Sequence, residues 1–206
     1  HAGLYNYIPG GLGVTIFFFL SGFLITTLLR QEEAKYGHIS LKKFYMRRVL
    51  RIFPPMYTAL FLAIVLAQTG LLPAKPNFLP TLFQALHLSN YSEYFLDQTQ
   101  IHGTAVLWSL AVEEHFYLLY PMVCFILLKP LSNHRRAAVL GVLCVVILIW
   151  RYYLVTQLHV ETNRTYYCTD TRMDSILFGC IMGLVYNPVL DKRLNFCHWR
   201  SFVLLG

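Results

Sequence analysis

Apolar residues run along this chain in long blocks separated by short basic or polar stretches, and the blocks have the length of a bilayer crossing. A helix covers ~30 Å of hydrocarbon with roughly 20 mostly apolar residues at ~1.5 Å each. Five stretches meet that requirement: Gly11 to Leu29, Phe53 to Leu72, Val106 to Leu128, Ala137 to Leu158 and Met173 to Val189. Another begins at Ser201. The pattern predicts an all-α polytopic transmembrane helix bundle of five to six spans, taken as one membrane domain over residues 1–206 because no long repeat or low-complexity linker divides it. Phe78 to Tyr94 is too polar for a span and reads as an interfacial or re-entrant piece. The first span has no charged leader and more spans follow it, which argues against a cleavable signal. The chain opens on His1 and stops inside an apolar run, so a further helix is expected before it and more after it.

Composition supports the membrane reading: 56% of residues are hydrophobic and 13% charged. The net charge of +7 is distributed unevenly. Arg30, Lys35, Lys42, Lys43, Arg47, Arg48 and Arg51 fall between the first two spans, Lys129, Arg135 and Arg136 between the third and fourth, and Lys192, Arg193 and Arg200 after the fifth. Short basic loops stay on the cytoplasmic side, so these define one face; Pro73 to Thr104 and the stretch around Asn163 define the other. The charge thus serves topology and gives no reason to invoke nucleic acid. Of the cysteines, Cys124, Cys144 and Cys180 fall in spans, Cys197 on the basic side and Cys168 alone outside, with no metal-ligand spacing.

Ionisable residues inside a span cost about 2.5–3.5 kcal/mol each on insertion scales and therefore mark candidate sites. In WSLAVEEHFYLLYP, Ser109, Glu113, Tyr117 and Tyr120 share one helical face, while Leu107, Leu110, Glu114, Leu118 and Pro121 share another. Either the two carboxylates occupy the wet first turns of the helix, where its dipole favours acids, or they are functional. His115 reads as a hydrogen-bonded interfacial residue.

ISLKKFYMRRVLRIFPPMY, Ile39 to Tyr57, reads as a basic amphipathic surface helix capped by Ser40 and ended by Pro54 and Pro55. It anchors to headgroups, or it uses Arg48 and Arg51, one turn apart, as a fork for a phosphorylated ligand. In TDTRMDSILFGCIMG, Asp170 and Asp174 with Arg172 between them suggest a local ion-pair cluster, and Gly179 and Gly183 form a small-xxx-small pair for close helix packing. Gly10, Gly11 and Gly13 suggest a tight turn into the first span, with Ser21 and Gly22 at a close helix contact. They are not a phosphate loop, since no strand precedes them and no Lys-Ser or Lys-Thr follows.

A glycine-rich start to FFFLSGFLIT, then RRVLRIFP, WSLAVEEHFYLLYP and TDTRMDSILFG, in this order over nearly the whole chain, closely resembles the acyltransferase 3 family of integral membrane acyltransferases. The resemblance implies a domain of about ten spans of ordinary length, roughly half of it present. It implies transfer of an acyl group, in the simplest case acetyl from acetyl-CoA, to a hydroxyl of a cell-envelope or exported glycan. The donor is a substrate; no bound cofactor and no metal is implied. Partners are the bilayer, acyl-CoA and a glycan, in a multi-pass protein of the bacterial inner membrane.

By the same resemblance His1 is the catalytic base, and Arg48 with Arg51, flanked by Arg47, matches an Arg-x-x-Arg element that engages the donor. Glu113 or Glu114 orients His1 or binds the acceptor. Trp108, Ser109, Arg172 and Asp174 form an acceptor-side or structural polar cluster. The chain departs from the family pattern at Thr15, where Asp is usual, and at His115, where Gln is common. A rival reading is a transporter or flippase with a proton relay on the carboxylates; it predicts broken helices and inverted repeats, and the sequence displays neither. A non-catalytic scaffold is a third.

Overall fold

The computed structural model describes residues 10–72, 77–96 and 103–191. Among the described residues the chain is helical and no strand occurs. The elements are α1 (Gly10–Tyr36), α2 (Leu41–Gln68), α3 (Phe78–Ala85), α4 (Ser89–Phe95), α5 (Leu107–Met122), α6 (Asn133–Thr156), α7 (Thr162–Tyr167) and α8 (Thr169–Val185). Helices α1, α2, α6 and α5 with the turn that continues it to Leu127 are long and apolar enough to cross a membrane. Their outer surfaces carry many exposed Leu, Ile, Val and Phe side chains, as expected where lipid is the solvent. The expected start of a span at Ser201 lies outside the described residues.

The core is the packing of α8 between α1 and α6, with α5 closing the third side. Glycine makes this possible. A Cβ on Gly22 would overlap the Ile176 carbonyl, and one on Gly179 would overlap the Phe19 carbonyl, so the two backbones touch where side chains would hold them apart. Gly183 does the same against Thr26, whose Cβ would lie 2.9 Å away. The expected close contact at Gly22, Gly179 and Gly183 is therefore met. Gly11 and Gly13, expected in a turn, are instead helical; Gly11 faces the ring of Tyr166.

Helix α2 corrects a second expectation. Ser40 caps it, its hydroxyl accepting from the Lys43 N–H at 3.5 Å, but Pro54 and Pro55 do not end it: one helix runs from Leu41 to Gln68. Two adjacent prolines remove neighbouring donors within a single turn, so the damage stays local and the ladder resumes beyond them. Helix α5 responds differently to Pro121 and loosens into a π-helical turn over Val123–Leu127. The fifth expected span falls on α8, which begins at Thr169 and, with 17 residues, is not among the helices long and apolar enough to cross a membrane.

The ends of the helices sort as the charges predict. Arg30 reaches from α1 to Asp191 beyond α8 at 2.9 Å, and Arg136 at the start of α6 reaches Glu33 at 3.5 Å, so the first two basic loops share one end; Lys192, Arg193 and Arg200 lie outside the described residues. At the opposite end Asn90 donates to Thr169 at 2.9 Å and Trp150 to Asp170 at 2.7 Å. There the Phe78–Tyr94 stretch forms two short helices, α3 packed on α4 and α4 on α5, not a span.

Candidate active site

Glu113 lies seven positions into α5 and is 4% exposed, which removes the reading of the carboxylates as wet first-turn acids. It accepts a hydrogen bond from the Tyr117 hydroxyl at 3.3 Å, one helical turn on. The same hydroxyl is hydrogen-bonded to Ser21 of α1. The face of α5 expected to be polar, Ser109, Glu113, Tyr117 and Tyr120, is the buried face, and Tyr120 pairs with Thr26 of α1 at 2.6 Å. Ser109 itself spends its hydroxyl on the Val106 carbonyl at 2.9 Å.

Arg48 of α2 completes this site. Its guanidinium stands 4.3 Å over the Tyr117 ring, and its charge acts on both Glu113 and Glu114. A cation on an aromatic face beside two carboxylates is held from several directions at once. Arg48 also lines two cavities. One, of about 630 Å³, opens at the basic end among Glu32, Lys35, Lys43, Arg47 and Arg51. The other, of about 510 Å³, lies between α2 and α5 and is bounded by Phe53, Tyr57, His87, Glu114 and Leu118. Arg47, flanking the pair, is tied to Glu32 at 2.6 Å, whereas Arg51 is exposed toward the basic cavity. Guanidinium groups around a cavity of this volume suit phosphate recognition.

Glu114 faces the second cavity, and its Oε1 is buried without a hydrogen-bond partner among the described residues. The structure adds a residue that sequence reasoning missed: His87, in the turn between α3 and α4, whose two ring nitrogens are likewise buried and without such partners. Its ring packs against Phe53 at 4.7 Å, and burial pushes its imidazole below the ordinary range, so it is neutral at pH 7. A histidine between two short helices carries no periodic signal. His115 has the expected structural role: its Nδ1 is 2.9 Å from the Thr169 hydroxyl.

At the opposite end Trp108 and Arg172 share the rings of Phe18 and Tyr166. Trp108 lies 6.1 and 5.1 Å from them, and the Arg172 guanidinium 5.8 and 4.9 Å. The expected cluster of Arg172 with the two aspartates does not form. Asp170 is claimed by Arg164 at 2.6 Å and by Trp150, and Asp174 by Arg151. Residues N-terminal to Asp170 and on α6 reach these acids first, so Arg172 is left on its aromatic walls. Thr15, in the place of the usual Asp, bonds its own helix through the Gly11 carbonyl at 2.9 Å. Cys168 lies between α7 and α8, at the end opposite the basic loops, and is fully buried. His1 lies outside the described residues.

Comparison with known proteins identifies the family of the chain. A model described as an acyltransferase domain, that of acyltransferase 3, matches residues 2–206. The O-acetyltransferase OatA of Staphylococcus aureus strain NCTC 8325 is 30% identical over 199 residues, covering 91% of this chain and 32% of its own length. A second protein of that species, SACOL0978 of strain COL, with a provisional O-acetyltransferase name, is 29% identical over 196 residues with the same coverage. The chain thus spans about a third of the length of these curated relatives. No solved structure matches.

Proposed function

The chain belongs to the acyltransferase 3 family, and on that footing we propose that the protein is a membrane O-acetyltransferase that moves acetyl from acetyl-CoA to a hydroxyl of a cell-envelope or exported glycan. The observation that carries this reading is Arg48, which borders both the basic cavity and the cavity under Glu114 while stacking on Tyr117 beside Glu113. An anionic nucleotide held by Arg51, Arg47 and Arg48 at the basic end then has its thioester arm directed toward the carboxylates. By the positive-inside rule the basic end is cytoplasmic, where acetyl-CoA is available.

The chemistry needs one base and one route for charge. His1 takes the proton of the acceptor hydroxyl, the oxygen attacks the thioester carbonyl, the C–S bond breaks as the C–O ester bond forms, and CoA leaves as a thiol after taking a proton. Glu113 orients the resulting imidazolium. Trp108, with Arg172 on the same aromatic walls, supplies the acceptor side at the other end of the bundle; Ser109 and Asp174, bonded to Val106 and Arg151, support the helices there.

The test uses the full-length protein in membranes with radiolabelled acetyl-CoA and a panel of envelope glycans, comparing wild type with His1→Ala. Label passing to one glycan and lost in the variant supports the reading and names the acceptor. Substrate uptake into vesicles without acyl-CoA, with no label on any glycan, overturns it in favour of a transporter.

A further inference from the structure

His87 occupies a backbone position that chain physics reserves for glycine. Helix α3 ends with the Leu88 N–H donating to the Phe83 carbonyl at 2.7 Å and the His87 N–H to the Gln84 carbonyl at 3.1 Å. This is a Schellman ending, whose left-handed residue is usually Gly because a Cβ is strained there. His87 takes that position with φ +58°. Strain kept at a polar residue points to a use for its side chain.

The surroundings narrow that use. Both His87 nitrogens and the Glu114 Oε1 are buried without hydrogen-bond partners among the described residues, on the wall of one cavity of about 510 Å³. A buried polar atom left without a partner is destabilising, so several around one space point to a ligand that satisfies them. Apart from Arg48 and His115, the rest of that wall is apolar and aromatic, including Val49, Phe53, Tyr57 and Leu118. The occupant is therefore largely apolar, with a few amide-like donors and acceptors. Arg48 lines both this cavity and the basic one, so an occupant of the first has a guanidinium beside it for an anionic head.

We propose that the cavity between α2 and α5 holds the pantetheine arm of the thioester donor, with His87 and Glu114 hydrogen-bonded to its two amide groups. The proposal rests on the acetyl-CoA reading above. It assigns the two cavities different parts of one molecule: Arg51, with Arg47 held beside it by Glu32, takes the phosphates, and His87 takes the uncharged arm. His87 is a binding residue here and has no part in proton transfer.

The experiment measures KM and kcat of the full-length protein for acetyl-CoA and for S-acetylpantetheine, which lacks the nucleotide, together with the Kd of CoA. His87→Phe keeps a ring against Phe53 and removes both nitrogens. It is expected to raise KM for both donors about 10-fold, the worth of a lost hydrogen bond to a buried partner, with kcat little changed. His87→Asn, which tolerates the left-handed backbone and restores an amide, is expected to recover part of the loss. Arg51→Ala is expected to raise KM for acetyl-CoA alone. Unchanged KM for both donors in His87→Phe, with transfer intact, overturns the proposal and leaves the enzyme reading standing; so does a fall in kcat alone, or competition by a fatty acid and not by pantetheine. Wild type that binds neither CoA nor pantetheine overturns both.

Discussion

Glu113 and Glu114 are adjacent in sequence and separated in space by the turn of one helix. Glu113 points into the bundle and shares a hydroxyl network with Tyr117 and Ser21, whereas Glu114 points toward the cavity that His87 walls. Their substitutions should therefore separate kinetically. Glu113→Gln keeps the volume and the Tyr117 bond but removes the carboxyl group, and transfer should fall roughly 100-fold through kcat, the scale of a lost electrostatic group in a preorganised site. Glu114→Gln should act mainly on KM for acetyl-CoA. Initial-rate measurements on both variants check this, and an identical pattern for the two would contradict the division of roles. The sequence face shared by Ser109, Glu113, Tyr117 and Tyr120 was legible from spacing alone. The pairing of Arg151 with Asp174 and the isolation of Arg172 were not, because helical spacing describes one helix and these partners come from α6 and the segment before α8.

At the scale of elements the contact of α1 with α8 rests on backbone touching backbone. Gly179→Ala sets a Cβ against the Phe19 carbonyl, which no rotamer change relieves, and should destabilise by about 1–3 kcal/mol. Gly141→Ala in α6 meets nothing within 4 Å and should be neutral or stabilising by about 0.5–1 kcal/mol, since Ala restricts the unfolded chain. Thermal unfolding in detergent should order the variants in this way; equal stability of the two would mean the helices are not in this contact. The small-xxx-small pattern in TDTRMDSILFGCIMG made that contact readable. The single helix α2 was not readable, because a proline pair marks the loss of two donors and leaves open whether the ladder resumes beyond them. His87 was hidden for a related reason. Its importance comes from a helix ending, and an eight-residue helix gives too few turns for its end to be located from periodicity.

For the whole molecule, two ends of opposite character follow from the alternation of basic loops, and the pairs Arg30–Asp191 and Arg136–Glu33 show the first two of those loops gathered at one end. Lys42 and Thr162 are exposed at opposite ends. In intact cells Thr162→Cys should react with a membrane-impermeant maleimide and Lys42→Cys only after permeabilisation; the reverse would place the donor cavity on the wrong side for acetyl-CoA. The central claim, that Arg48 links a nucleotide site at the basic end to the carboxylates of α5, is tested most directly by acetyl transfer from labelled acetyl-CoA in Arg48→Ala against Arg135→Ala. Arg135 carries the same charge at the same end but is exposed on α6, its backbone N–H bonded to Ser132. The account predicts a loss of roughly 100-fold in Arg48→Ala and near wild-type transfer in Arg135→Ala. Equal activity of the two variants would contradict it.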